Sequence, residues 1–497
     1  MGTATLTKEL HMSAVGSILT NSGALTALES ISQTSQTTNT LQNELASGLS
    51  ISSPSDNPAG YITAQGFTSQ INGLTQATSN ANQGVSLLQT AQSAIGQQIS
   101  VVQQLNSIAV QAANGTQTPA ESQSLQTLVG ALTQQVSTIA NQTQFNNINL
   151  LDGSFSGKQF QVGANEGQTM NLSISNTSGS AIGMYTAGAG TGSVYTGAAG
   201  SAVVGLTAAL AGGSSLAITG PAGGQSTVAT TAGESAYDIA NDVNAAGGTT
   251  GVQAEATNTA TYSFAAGTKS TSFAIQSSAN GGKSAVVTVN AAISTGKGGL
   301  SSVVSQINQQ TQNSGIVASS ASGKLTLTQE QGKNIAFSGI PKTPANGSGS
   351  PEAAGTAVAD LEIQQGQVQF QSSGAFSVDG ATKLVGTSGN ATLSSLSDID
   401  VSTTTGANAA INIVKYALQG LNNQDGQLGA VQQRLSATIN NLNSTSTNAT
   451  TALGVVQDAN IPAVANQLTQ AQIQAQSGVA ALKSSTELQQ TYLSLLP

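Results

Sequence analysis

The chain has no cysteine and no tryptophan, a single histidine, and charged residues at only 7% of its 497 positions. Without cysteine there are no disulfides, thiolate metal sites or thiol nucleophiles, a usage that suits an extracellular protein needing no covalent staples. The one histidine, His11, stands in the N-terminal segment, so neither a Ser-His-Asp set nor an H-E-x-x-H zinc site can be assembled. A charge content of 7%, against about 25% in ordinary soluble domains, leaves solubility to neutral Ser, Thr, Asn and Gln. The formal net charge is -9, and no Lys or Arg lies between Lys8 and Lys158. No basic stripe can track phosphates there, which argues against nucleic acid as a partner. No stretch approaches the roughly 20 apolar residues of a membrane span, and none is expected. Lys8 is not followed by an apolar run and cleavage site, so no cleaved signal peptide is expected. Export, if it occurs, needs another route.

What acid–base chemistry remains is thin. Glu234, Asp238 and Asp242 follow one another at one-turn spacing, which reads as a solvated helix face; a calcium loop would need denser acidic spacing. Gly247-Gly248 and Gly281-Gly282 read as turns, since no Lys-Ser/Thr follows the first pair and, although Lys283-Ser284 follows the second, Ser277 stands where a phosphate-binding frame needs its first glycine. Asn-x-Ser/Thr triplets at Asn114, Asn390 and Asn443 are expected by chance in this composition. The sequence nominates no catalytic residue, no cofactor and no metal ligand, and the chain reads as structural rather than enzymatic.

Helical periodicity is strong at both ends. Phe67, Ile71, Leu74, Thr78, Ala81, Val85, Leu88, Gln92, Ile95, Ile99 and Val102 recur at three-and-four spacing, a coiled-coil-like seam. The helix carrying them, read as Ile62 to Asn114, would span roughly 80 Å. Before it, Ser52 to Gly60 holds two prolines among Ser, Asp and Asn, which breaks one helix and caps the next. Asn114-Gly115 ends the long helix, and Leu125, Leu128, Leu132, Val136 and Ile139 mark another. The last ninety or so residues mirror this pattern. Ile411, Val414, Leu418, Leu421, Asp425, Leu428, Gln432, Leu435, Ile439 and Leu442 form one run, and Val464, Leu468, Ala471, Ala475, Gly478, Leu482, Ser485, Gln489, Tyr492 and Leu496 a second, beyond Asn460-Ile461-Pro462. Many seam positions are small, so such helices are marginal alone and need partners.

Between these ends, Gly and Ser punctuate short alternating runs, a β pattern. Gln159–Gly163 and Met170–Ile174 read as a hairpin, whereas about 180–206 suggests no firm element. A weak internal repeat follows. Ile239, Val243, Asn244 and Gly251-Val252 recur 64 positions later as Val303, Ile307, Asn308 and Gly315-Ile316. Strand-like Leu216-Ala217-Ile218 precedes the first helix and Phe273-Ala274-Ile275 the second. Each unit reads as strands, helix and strands, over about 214–264 and 272–338. The fold expected is α+β and multidomain: long coiled-coil-like helices from both termini, with β-rich outer structure inserted in the middle.

Several motifs at the ends resemble bacterial flagellin, over about Met12 to Ile174 and Ala407 to Pro497. They are Leu45–Ile51 with Asp56-Asn57-Pro58-Ala59-Gly60, then Gln142–Asn146 with Leu150–Gly153, Gln161–Asn165, Leu428–Leu435 and the closing Leu493–Leu496. The resemblance implies a subunit that self-assembles into the extracellular flagellar filament for swimming, exported unfolded through a type III apparatus. It implies a tail (1–14), an inner core helix and spoke (15–60) pairing with a C-terminal inner helix (458–497), a helical bundle with a hairpin (61–180 and 405–457), and a variable exposed region (181–404). Inner packing between copies would fall to Ile18, Leu25, Leu28, Leu41, Leu45, Val464, Leu468, Leu482, Tyr492 and Leu496. Bundle packing would fall to Phe67, Ile71, Leu74, Val85, Leu88, Ile95, Ile99, Val102, Leu132, Val136, Leu421, Leu428, Arg434, Leu435 and Ile439. Gly48, Asp56, Pro58 and Gly60 would form the break. Implied partners are many copies of the chain itself, hook-associated and cap proteins, and an export chaperone. Two other readings share these ends: a hook-associated junction protein, and an adhesin displayed through the central region. With so few ionisable groups, contacts between copies should depend little on pH or salt.

The sequence departs from the family in three places. Members start near the position of Met12, so 1–11 is an extension or a mis-chosen start; and Ser50 stands where Arg or Lys is common. Val102–Val110 lacks the arginines and glutamate carried there by flagellins that stimulate the innate-immune Toll-like receptor, and Leu128 stands about where they carry another Glu. Weak or absent receptor activation is expected, and a cell reporter assay giving full potency at nanomolar monomer would contradict it.

Overall fold

The computed structural model describes residues 21–188, 194–196, 215–230, 234–263, 271–279, 282–283, 286–291, 300–338, 343–344, 361–380 and 389–494. Seven principal helices occur among them: α1 (Ser22–Ser47), α2 (Pro58–Ala112), α3 (Pro119–Gln142), α4 (Ala236–Ala245), α5 (Ser301–Asn308), α6 (Thr404–Gln457) and α7 (Ile461–Ser494). The chain divides into two compact units, one formed by 1–86, 158–172 and 431–497 and the other by 87–157 and 173–430. The long helices α2 and α6 each run through a boundary between the two.

In the first unit α1 and α7 lie side by side and antiparallel. Asn21 sits against Ser485 and Gln489, Ile31 against Gly478, and Leu41 against Val464 and Ala471. The α1 face turned inward is Ala24, Ala27, Ile31, Thr34, Thr38 and Leu41, yet only Leu41 is buried. The first part of α2 packs with the last part of α6 and the hairpin Lys158–Gln161/Thr169–Leu172, whose register pairs Lys158 with Leu172. Leu74, Ala77, Leu442 and Ala164 form a small core there.

The second unit holds α3, capped by a reciprocal pair that periodicity does not reveal. The Glu121 N–H donates to Thr118 Oγ1 at 3.3 Å, and the Thr118 N–H to Glu121 Oε2 at 2.8 Å. The helix therefore starts at Pro119, nearly two turns before its first large apolar residue, Leu125. A two-residue hairpin follows, Gln144-Phe145 with Ile148-Asn149. Asn146 and Asn147 both take positive φ at its turn (50° and 61°), as a type I′ turn requires.

The rest of the second unit is antiparallel sheet. One sheet orders its strands 316–321, 324–329, 253–263, 367–372, 183–187 and 392–395, with 343–344 also on 253–263. A second runs 282–283, 271–279, 334–338, 361–364 and 194–196, with 287–291 also on 271–279; a third runs 389–390, 377–380, 215–219 and 225–229. Two cores result. Leu216, Ile218, Ile239, Val243, Val252 and Phe370 belong to one, and Phe273, Ile275, Val303, Ile307, Ile316 and Phe337 to the other.

The two strand–helix–strand units share their hydrogen bonds as well as their apolar positions. Asn244 Nδ2 donates to the Ala254 carbonyl at 2.9 Å and its Oδ1 accepts from the Ala254 N–H at 2.8 Å. Asn308 does the same with Ala318, at 2.9 and 2.7 Å. Gly251 and Gly315 close the intervening turn at φ +67° and +68°, where a side chain would be strained. The units are not separate beads, however. The 11-residue strand Gln253–Ser263 supplies Ala254 and Ala256 to the first core and Ala260 and Tyr262 to the second. Asn258, buried between them, donates through Nδ2 to the carbonyls of Lys333 (2.9 Å) and Gln364 (2.8 Å). Asn244→Ala or Asn308→Ala removes two backbone partners at once and should destabilise the β-rich part by about 1–3 kcal/mol. Thermal unfolding followed by circular dichroism measures it, and an unchanged transition in both variants would show the pairs to be incidental.

Candidate assembly faces

Each nominated residue has a definite place, Ile18 and Leu496 excepted, since they lie outside the described residues; Tyr492 lies on α7, its side chain outside the description. On α7, Val464, Leu468 and Leu482 are buried or half-buried on the face toward α1, together with Ala471, Ala475, Gly478, Ser485 and Gln489. Of the nominated α1 residues described, only Leu41 joins that seam. Leu25 and Leu28 stay 56% and 55% exposed, Leu45 is also exposed, and α7 exposes Ile473 and Val479. The end helices thus meet through one narrow line and leave large apolar side chains in water. Full burial of Leu41, Val464 and Ala471 accounts for only about 5 kcal/mol.

On the bundle helices the nominated residues separate into two classes. Leu74, Ala81, Leu88, Ile95 and Val102 form one buried column of α2. The second column is Ala77, Gly84, Ala91, Gln98 and Leu105, one position before the larger residues at Val85 and Ile99, which are half-buried, as are Phe67 and Ile71. The same displacement occurs on α6. Val414, Leu421, Leu428, Leu435 and Leu442 are buried with Ala410, Ala417 and Gln424, whereas Leu418, Asp425, Gln432 and Ile439 are half-buried and Arg434 is exposed. Close approach selects the smaller residue: a Cβ on Gly84 would meet Leu435 Cδ1 at 3.2 Å and Phe160 Cδ1 at 3.6 Å. On α3, Val136 is fully buried, Leu132 half-buried and Leu128 exposed. Gln98 is buried too, with its amide donating to the carbonyls of Val136 and Thr177, both at 3.1 Å.

The breaks at the two ends are knitted together. After Gly48 (φ +72°) closes α1, the Ser50 N–H donates to the Gln457 carbonyl at 2.7 Å and the Ala459 N–H to the Gly48 carbonyl at 2.9 Å. Gln457 Nε2 donates to the Ile51 carbonyl at 3.1 Å, and Leu49 bridges to Asp458. Asp56 Oδ2 accepts the Ser53 N–H (2.8 Å), the Ser52 N–H (2.9 Å) and the Ser52 hydroxyl (3.1 Å), folding 52–56 into a loop. Asn57 Oδ1 accepts the Gly60 N–H at 3.0 Å, with Pro58 opening α2. A Cβ at Gly60 would fall 2.5 Å from Ile51 Cδ1, so a side chain there would have to displace that methyl. Sequence reasoning found this loop but not its partner, because backbone pairing across 406 positions leaves no local trace.

The acidic trio is not one solvated helix face: Asp242 is exposed, but Glu234 is buried ahead of α4 and Asp238 is half-buried. Asp238 caps α4 reciprocally with Ser235, whose N–H it accepts at 3.0 Å. Among the described residues no cluster of three or more His, Cys, Asp or Glu could hold a metal ion, and no helix is long and apolar enough to cross a membrane.

Two family models match the ends: the bacterial flagellin N-terminal helical region at residues 18–156 and the C-terminal helical region at 411–496. The B-type flagellin of Pseudomonas aeruginosa is 34% identical, over 96% of this chain and 99% of its own. The chain belongs to the flagellin family. A flagellin of Salmonella rubislaw is 27% identical over the same shares, so the likeness to flagellins extends through the β-rich middle. Among solved structures, FliC from Burkholderia pseudomallei aligns over 71% of this chain and 99% of its own, at 22% identity and a TM-score of 0.28, too loose a superposition to carry weight.

The backbone N–H groups of Ser53 and Ser52 hold the Asp56 carboxyl below its ordinary value of 3.8. A lowered carboxyl stabilises the folded loop above that ordinary value and loses its effect as pH falls through the folded one. The 52–56 loop should therefore loosen only below about pH 3.8. Ser52 and Ser53 amides that already exchange at their intrinsic rate, without protection, at pH 6 would show that the carboxylate does not hold it.

Proposed function

We propose that this flagellin is the bulk structural subunit of the extracellular bacterial flagellar filament, assembling through its end helices into a helical polymer for swimming. The observation that carries this reading is the exposed Leu25, Leu28, Ile473 and Val479 on helices whose mutual seam is too thin to use them. Such a surface is completed by neighbouring copies. The bundle positions Phe67, Ile71, Val85, Ile99, Ile439 and Arg434, half-buried or exposed in a single subunit, supply the wider contact. Relatives that the chain matches from end to end carry the name flagellin, which favours the bulk filament subunit over a junction protein. Hook-associated and cap proteins and an export chaperone complete the set of partners, and the residues at Val102–Val110 and Leu128 support weak receptor activation.

Leu25→Glu with Leu28→Glu should leave the monomer folded, since both side chains are already in water, and abolish growth from filament seeds. Light scattering of seeded monomer reads elongation and circular dichroism reads the fold. Elongation at the parental rate by the double variant would remove the inner helices from the assembly contacts.

A further inference from the structure

Asn followed by Gly is chemically the least stable asparagine context, because an unhindered glycine amide can attack the side chain. Two such pairs lie among the described residues, Asn72-Gly73 and Asn114-Gly115. Their surroundings are opposite. Gly73 lies in mid-helix on α2, its N–H committed to the carbonyl one turn back, and its Cα faces Ala164 so closely that a Cβ would stand 2.9 Å from that methyl. Asn114 and Gly115 lie just past the end of α2, in a turn closed by the Gln117 N–H on the Asn114 carbonyl at 3.3 Å. Both residues are exposed, and a Cβ at Gly115 would meet nothing within 4 Å. Among the described residues, no hydrogen bond engages the Asn114 side-chain amide or the Gly115 N–H.

We propose that Asn114 is a site of spontaneous deamidation, a slow covalent mark carried by the exposed α2–α3 turn. The Gly115 nitrogen bonds to Asn114 Cγ, the Cγ–Nδ2 bond breaks, and the amide nitrogen leaves as ammonia with the proton shed by Gly115. Water then opens the resulting succinimide at either carbonyl, giving aspartate or isoaspartate at position 114. No oxidation or reduction occurs. The product adds a negative charge at the C-terminal end of a 55-residue helix, where the helix dipole disfavours it. No Lys or Arg lies between Lys8 and Lys158 in the sequence to offset that charge locally.

Full-length soluble monomer is incubated at mildly alkaline pH and cleaved after leucine and aromatic residues, which puts position 72 (between Phe67 and Leu74) and position 114 (between Leu105 and Leu125) on separate peptides, and both are weighed over time. A synthetic peptide covering 111–118 serves as the unrestrained reference. The expected result is a gain of about one mass unit at Asn114, approaching the reference peptide's rate, while Asn72 stays intact. Gly115→Ala should slow the gain by roughly tenfold by restricting the backbone at that position, and Asn114→Gln should abolish it. Equal rates at Asn72 and Asn114, or an unmodified Asn114 after the reference peptide has fully converted, would overturn the proposal.

Discussion

The distance between packed helices is the constraint on which the rest depends. The second buried columns of α2 and α6 carry small residues at Ala77, Ala91, Ala410 and Ala417, with Gly84 at one contact and glutamines at Gln98 and Gln424. Small side chains allow close approach and good dispersion contact, yet each contributes little burial. Long helices compensate by repeating the contact many times. They also leave their larger residues on the flanks, half-covered, where a second layer of contact can use them.

The end helices carry the same logic further. The seam of α1 and α7 is small or polar nearly throughout, from Ala24 and Ala27 to Gly478 and Ser485. Ordering two helices of 26 and 34 residues costs more conformational entropy than so few buried atoms offset, backbone hydrogen bonds aside. Their stability is therefore tied to what covers the outer faces. The paired breaks, where Gly48–Ile51 meets Gln457–Ala459, set where α1 gives way to α2 and α6 to α7.

How much of this could be read in the sequence depended on how local the signal was. Helix existence was plain, because apolar columns such as Leu74, Ala81, Leu88 and Ile95 repeat over long stretches. The second column was displaced by one position, since a reading that follows large residues favours Val85 and Ile99 over Gly84 and Gln98, which close packing selects. The start of α3 was missed because the Thr118–Glu121 cap precedes any apolar residue of that helix. In the repeat, the offset of 64 already placed Asn244 and Asn308 in register, but their common hydrogen bonds needed coordinates. The strands at 183–187 and 392–395 pair across two hundred residues, and nothing local announced either.

Because one long strand, Gln253–Ser263, serves two cores, neither repeated unit can lose its packing without exposing apolar surface in the other. Duplication of a domain usually yields parts that melt one after another. Here the shared strand, with Asn258 bonded to the carbonyls of Lys333 and Gln364, ties the two cores together, which favours one cooperative transition. A β-rich part that would otherwise be free to fray piece by piece under load is tied together through one strand.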